Sequence, residues 1–306
     1  VKTKKRGPPA AQYHAVNQAR PSIALSQNFL QGDRLIATLV RRACLEPEDL
    51  VLDIGAGTGK LTEQLRQYAG QVWAVEKDPT LIELLQRRFT NMRNVTVVEG
   101  DFITLELPST AYKVFASIPY NTTTTILTRL TQAPNPPQDA HLVIQEQAAH
   151  KFMGHPQETM YGLMLKPLFQ LSITHRFERQ DFVPAPSVDS VMLRIQHRRS
   201  PLLTPKVQTL YRDFVTYCFV HGSPSLYRLL EQLLGPHALR NAASILDIQR
   251  SVTPSALDFE RWLCLFCQFL DDAPPNAYRR IAGSWQRLSV EQAQLNKRHR
   301  TPFSER

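Results

Sequence analysis

Residues 50–62 read Leu50-Val51-Leu52-Asp53-Ile54-Gly55-Ala56-Gly57-Thr58-Gly59-Lys60-Leu61-Thr62. A run of Val, Leu and Ile breaks into three glycines at alternate positions, then resumes at helical spacing. Apolar runs of this kind mark strands buried on both faces of a parallel sheet. Glycine at a strand-to-helix turn lets the backbone bend sharply and approach a ligand with no Cβ in the way. The first amides of the following helix then face that ligand. Two other glycine loops are excluded by single residues. A dinucleotide-binding G-x-G-x-x-G needs a further glycine where Lys60 stands. A phosphate-binding P-loop needs glycine in place of Ile54 and a hydroxyl residue in place of Leu61.

The next segments supply acids in step with this turn. Gln71-Val72-Trp73-Ala74-Val75-Glu76 is a second apolar run ending in a carboxylate, about twenty residues past the glycines. In doubly wound folds an acid there accepts hydrogen bonds from a ribose diol. Val95-Thr96-Val97-Val98-Glu99-Gly100-Asp101-Phe102 is a third strand with Asp101 just beyond it. Taken singly, Glu76 or Asp101 reads equally well as a solvated turn carboxylate. Together with the surviving D-x-G-x-G-x-G pattern, they make the segment similar to the cofactor-binding half of S-adenosylmethionine-dependent methyltransferases. In those enzymes an acid at Asp101's place commonly accepts from the adenine amino group.

Tyr112-Lys113-Val114-Phe115-Ala116-Ser117-Ile118-Pro119-Tyr120 reads as a fourth strand, and Asn121 with four threonines leads into an apolar helix at Ile126, Leu127 and Leu130. Pro119 ends the ladder and pins the chain. It also holds Ile118 extended, with a carbonyl free to face a cleft. His141–Gln145 is a fifth strand and Glu146–Phe152 a helix. Leu163–Phe169 has helical spacing and is expected to kink at Pro167. Ile173–Phe177 and Ser190–Gln196 alternate as edge strands around the stiff loop Asp181-Phe182-Val183-Pro184-Ala185-Pro186-Ser187-Val188-Asp189. Strands alternating with helices predict an α/β fold, a mostly parallel sheet covered on both faces. Past Pro201 the strand pattern gives way to helical spacing over 207–220, 226–234 and 256–270, a small all-helical unit.

Composition narrows the partners. The chain has 306 residues, a net charge of +9 and 42% hydrophobic content, enough for an ordinary core and suggestive of a polyanionic partner. Residues 1–25 carry Lys2, Lys4, Lys5, Arg6 and Arg20 with no acid, reading as a flexible basic arm that is either a solubilising tail or a contact to nucleic acid. The last thirty residues are basic again, with Arg279, Arg280, Arg287, Lys297, Arg298 and Arg300, and are expected as a tail. No run of about eighteen apolar residues or secretory h-region is seen, so no membrane partner and a cytoplasmic location are expected. Four cysteines are too few for a disulfide framework. Cys264 and Cys267 lack a second Cys or His pair at zinc spacing, so no metal is expected and both are read as small buried residues of a core helix.

With these residues in hand, the chain resembles the ribosomal RNA adenine N6-methyltransferases, and within them the Erm type associated with macrolide–lincosamide–streptogramin resistance. The segments that match are Ser26–Leu30, Leu52–Thr62, Val75–Asp78, Gly100–Phe102, Ile118–Tyr120 and Phe182–Asp189, in the family's order. The resemblance implies a Rossmann-like class I methyltransferase sheet over residues 26–200, a helical RNA-binding domain over 201–275, a basic tail over 276–306 and a monomer. It implies S-adenosylmethionine as cofactor, leaving as S-adenosylhomocysteine, held by Gln27, Asn28, Leu30, Gly55, Gly57, Glu76, Asp101 and Ser117. It implies a reaction centre at Ser117, Ile118, Pro119, Tyr120 and Phe182, with Tyr120 stacked on the target adenine and Phe182 on its other face. The partner is ribosomal RNA, presenting an unstacked adenine in a single-stranded or bulged segment.

One position departs from the family pattern. An Asn amide there and the carbonyl at Ile118 accept from the adenine amine, but this chain has Ser117. A hydroxyl is shorter and must rotate to accept. Three alternatives stay open on sequence alone: a small-subunit (16S) dimethyladenosine transferase, a catalytically weak RNA-binding relative, and a DNA adenine methyltransferase. The last is disfavoured because its motif has two prolines before the aromatic, where this chain has Ile118-Pro119.

Overall fold

A computed structural model describes residues 28–221 and 225–298. The basic arm and the candidate ligand residue Gln27 lie outside the described residues. Two short strands, β1 (Phe29–Leu30) and β8 (Phe182–Val183), pair antiparallel by themselves. The main sheet is built from β2 (Leu50–Ile54), β3 (Gln71–Glu76), β4 (Val95–Glu99), β5 (Lys113–Ser117), β6 (Asp139–Gln145), β7 (Phe169–Phe177) and β9 (Ser190–His197). Their spatial order is β4-β3-β2-β5-β6-β9-β7, with the first five parallel and β9 antiparallel to both neighbours. The chain steps outward from β2 to β4, then returns to lay β5 on the other side of β2. That reversal opens a crevice at the carboxyl ends of β2 and β5, where ligands of open α/β sheets bind.

Helices α1 (Asp33–Arg42), α2 (Lys60–Leu65), α3 (Pro79–Phe89), α4 (Thr123–Gln132), α5 (Glu146–Met153) and α6 (Met160–Leu165) accompany the sheet. Side-chain alternation in β2 explains its apolar run, because Leu52 and Ile54 enter one buried cluster while Val51 enters another. Lys77-Asp78-Pro79, just after β3, is a helix start. Asp78 Oδ1 accepts from the amides of Thr80 at 2.9 Å and Leu81 at 3.4 Å, with Pro79 at the first helical position.

From residue 205 the described chain is helical, with α7 (Pro205–His221), α8 (Leu226–Leu234), α9 (Pro236–Leu246), α10 (Phe259–Asp272), α11 (Pro275–Ile281) and α12 (Ser284–Arg298). They share a core around Phe214, Leu230, Trp262, Phe266 and Phe269. No helix among the described residues is long and apolar enough to cross a membrane.

Three expectations are corrected. Residues 276–298 are not a tail: Ala277 and Ile281 are buried in the helical core, a pattern that the arginines between and after them disguise. Helix α6 stops at Leu165 and does not kink through Pro167, because Phe169 already belongs to β7. Cys264 and Cys267 are exposed. Trp262, Leu265, Phe266 and Phe269 take the inner face of α10, which leaves positions 264 and 267 outside.

Candidate active site

The crevice at the switch point is a cleft of about 1100 Å³, solvent at its mouth included. Both the glycine turn and the end of β5 line it. Gly55 has φ of 74°, and a Cβ built there comes within 4.0 Å of the Ser117 carbonyl oxygen and of Pro119 Cδ. The two segments therefore face one another across the hollow. The turn is tied to β3, since the amides of Gly55 and Ala56 donate to the Val75 carbonyl at 2.9 and 3.0 Å.

Glu76 closes one wall and is only 5% exposed. Its Oε2 accepts from the Gly57 amide at 2.8 Å, and its Oε1 from the amides of Lys77 at 2.8 Å and Asp78 at 3.1 Å. Backbone donors thus hold the carboxylate in place, with lone pairs left over for a ligand. Asp101 is more open; its Oδ1 accepts from the Ile103 amide at 2.9 Å, and Lys77 Nζ stands 3.8 Å from Oδ2. Asn28, Leu30, Ser117, Ile118, Pro119 and Tyr120 also line the cleft. Strand β1 is held over it by β8, with Gln31 N–H donating to the Asp181 carbonyl at 2.6 Å.

Among the described residues no backbone hydrogen bond engages the Ile118 carbonyl. Tyr120 opens a short 3₁₀ turn after Pro119, and the Thr122 amide and hydroxyl both donate to the Pro119 carbonyl. The Tyr120 and Ser190 hydroxyls share a hydrogen bond of 2.6 Å. Burial pushes the Tyr120 phenol up, the Ser190 bond opposing it in part, so the phenol keeps its proton.

Two expected site residues are not on the cleft wall. Gly57 has φ of 58° and lies under Phe29; a Cβ there would stand 2.8 Å from Phe29 Cε1. Its work is to donate its amide to Glu76. Phe182 is 2% exposed and packs edge-on against Phe177 at 5.3 Å, inside the cluster holding Leu30 and Ile36. Its ring is occupied by the core, so in this arrangement it has no face to offer a base. What the sequence reading missed is Asp53, which lines the cleft at 1% exposure and accepts from Thr62 Oγ1 at 2.6 Å. Burial chiefly, with Glu76 adding to it, raises this carboxyl to about 7 against the Thr62 bond. A carboxylate inside a buried apolar strand was the available signal. No group of three or more metal-ligating side chains occurs among the described residues.

Comparison with known proteins agrees with this geometry. The family model for ribosomal RNA adenine dimethylase matches residues 17–267. An rRNA adenine N-6-methyltransferase of Bacillus licheniformis is 29% identical over 241 residues, covering 78% of this chain and 84% of the relative. The ribosomal RNA small subunit methyltransferase A of Lactococcus lactis is 28% identical over 251 residues, covering 77% and 85%. The crystal structure of the 23S rRNA methyltransferase ErmE superposes with a TM-score of 0.72 at 30% identity, covering 79% of this chain and 99% of that one. A match over most of the chain, on a switch-point cleft built from the expected turn and strand end, carries the conclusion that this chain belongs to the ribosomal RNA adenine dimethylase family and is an rRNA adenine N6-methyltransferase.

Proposed function

We propose that the chain methylates N6 of one adenine in 23S ribosomal RNA, using S-adenosylmethionine, and so confers resistance to macrolides, lincosamides and streptogramins. The observation that carries the reading is the approach of the glycine turn to the Ser117–Tyr120 strand end across a single cleft. The likeness to ErmE favours the large subunit. The Lactococcus lactis relative keeps the small subunit as the second reading.

The cleft fits the cofactor by the chemistry of its walls. Glu76 is a fixed, desolvated acceptor suited to two ribose hydroxyls, and Asp101 an acceptor suited to an adenine amine. Gly55 leaves room where a side chain would project toward Pro119. Asn28 and Leu30 cover the entrance. When bound, S-adenosylmethionine supplies an electrophilic methyl group on a sulfonium.

The chain's own part in the reaction is positioning. The lone pair of an exocyclic adenine amine is delocalised into the ring and attacks poorly. The Ile118 carbonyl and the Ser117 hydroxyl accept its two N–H bonds and turn that lone pair out of the ring plane. Tyr120 holds the ring flat beneath it, and Pro119 keeps the carbonyl extended. No strong base is required, since orientation and fixed dipoles supply most of the rate. The RNA offers an adenine already unstacked or easily extruded. Helices α7 to α12 take the surrounding RNA, consistent with the net charge of +9.

The deciding experiment is mass-spectrometric mapping of methyladenine in ribosomal RNA from cells with and without this protein. A new N6-methylated adenine in 23S RNA, accompanied by macrolide tolerance, is the expected result. Methylation of 16S RNA alone moves the assignment to the small subunit; no new methyladenine removes it.

A further inference from the structure

Tyr120 stands on a three-residue turn, a weak platform for a ring that must lie flat against a base. The turn fixes its backbone. The far end of the ring is held instead from seventy residues along the chain, by the 2.6 Å bond to Ser190 Oγ. Ser190 is 3% exposed and opens β9, paired on one side with Gln145 of β6 and on the other with Phe177 of β7. It also ends the stiff Phe182–Asp189 loop, whose last carbonyl accepts from the Glu146 amide at 2.9 Å at the start of α5.

We propose that Ser190 is a positioning residue for methyl transfer: it sets the direction of the Tyr120 ring's long axis, and through it where the ring meets the target adenine, without touching the substrate. The inference rests on the methyl-transfer reading above. A ring tethered at the phenol end cannot swing away from a base, so the base stacks where the ring is held. With the tether cut, the ring keeps its burial and loses its angle. Ser190 therefore acts on the rate once RNA is bound and leaves the cofactor site alone.

The test is a cycle of Ser190→Ala, Tyr120→Phe and the double variant, with Ser190→Thr as the conservative control. Each is measured for kcat and KM on a short RNA spanning the mapped adenine. S-adenosylmethionine affinity by calorimetry and the melting temperature serve as structural controls. Both single variants are expected to lose about tenfold in kcat, the usual order for a misaligned reacting group. The double variant is expected to lose no more than either single. Cofactor affinity stays unchanged, and Ser190→Thr recovers most of the rate. A second readout avoids catalysis: with 2-aminopurine at the target position, wild-type protein quenches its fluorescence by stacking, and Ser190→Ala quenches less. Wild-type turnover with a Ser190→Ala variant equal to it, or losses that multiply in the double variant, overturns this role. A wild-type protein that neither methylates the RNA nor quenches the probe overturns the methyl-transfer reading, and this inference with it.

Discussion

The carboxyl of Asp53 accepts one 2.6 Å bond from Thr62 and is otherwise walled off by its own strand and the cleft, with Glu76 near enough to repel its charge. Folding therefore raises it from 3.8 to about 7. The native state binds that proton more tightly than the unfolded chain does. The stability so gained is complete below pH 4, falls as pH rises between the two values and is gone above pH 7. Asn cannot ionise and keeps an acceptor for Thr62. In urea titrations Asp53→Asn should gain about 2.7 kcal/mol on the wild type between pH 5 and 7, and no more from pH 7 to 8. Parallel stability curves for the two proteins would show Asp53 ionising as freely when folded as when unfolded. Ser117 is the other residue whose chemistry is exposed to test. It lines the cleft with a hydroxyl where the family pattern has an amide. Ser117→Ala removes one acceptor and should lower kcat about tenfold or more. Ser117→Asn should alter kcat in the same assay; identical kinetics in all three proteins would mean that the side chain makes no contact in the transition state.

At the scale of elements, α12 is held by groups that lie far from it in the sequence. Asp213, buried on α7, accepts from the Gly283 amide at 2.8 Å and the Trp285 amide at 3.0 Å, capping the first turn of α12 from a distant helix. The Trp285 indole then donates to Gln132 of α4 at 3.2 Å, and Tyr161 of α6 donates to Gln292 at 3.3 Å. One helix thus joins the helical unit to the sheet. Asp213→Ala strands two amides at once and should cost about 2 kcal/mol. Hydrogen exchange over residues 284–292 should accelerate while the β2 amides stay protected; unchanged exchange there would mean that α12 holds without its cap. This attachment was hidden in the sequence for a physical reason. A cap supplied from seventy residues away has no local spacing, and the arginines of 279, 280 and 287 dilute the apolar period of Ala277, Ile281 and Trp285. The same limit explains α6, where Leu163–Phe169 is periodic enough for a helix until Phe169 pairs with His197 in the sheet. It also explains α10, where spacing alone could not say which face of the helix carried the cysteines.

For the whole molecule, what could be read in advance was what is written locally. Strands β2 to β5 announce themselves as apolar runs ending in a glycine, an acid or a proline, and those endings line the cleft. Contacts made by tertiary packing were not legible: Phe182 looked like a free aromatic beside the site and is core, while Ser190 looked like any strand residue and holds Tyr120. Charge is the remaining global property, and it bears on partners and solubility rather than on the fold. Residues 1–25 contribute five cations and no acid to the net +9, all on one side of the family's catalytic segments in the sequence. Each phosphate neutralised on a single strand contributes about 0.7 to the slope of log affinity against log salt. If all five cations engage phosphates, removal of residues 1–25 should flatten that slope by up to about 3.5. KM for RNA should then rise most at low salt, where counterion release is worth most, with kcat at saturating RNA unchanged because the cleft residues are untouched. The measurement is filter binding of the ribosomal RNA target from 50 to 300 mM salt, for the full chain and for the chain lacking the arm. Equal slopes would make the arm a solubilising segment and leave RNA affinity to the helices beyond residue 205.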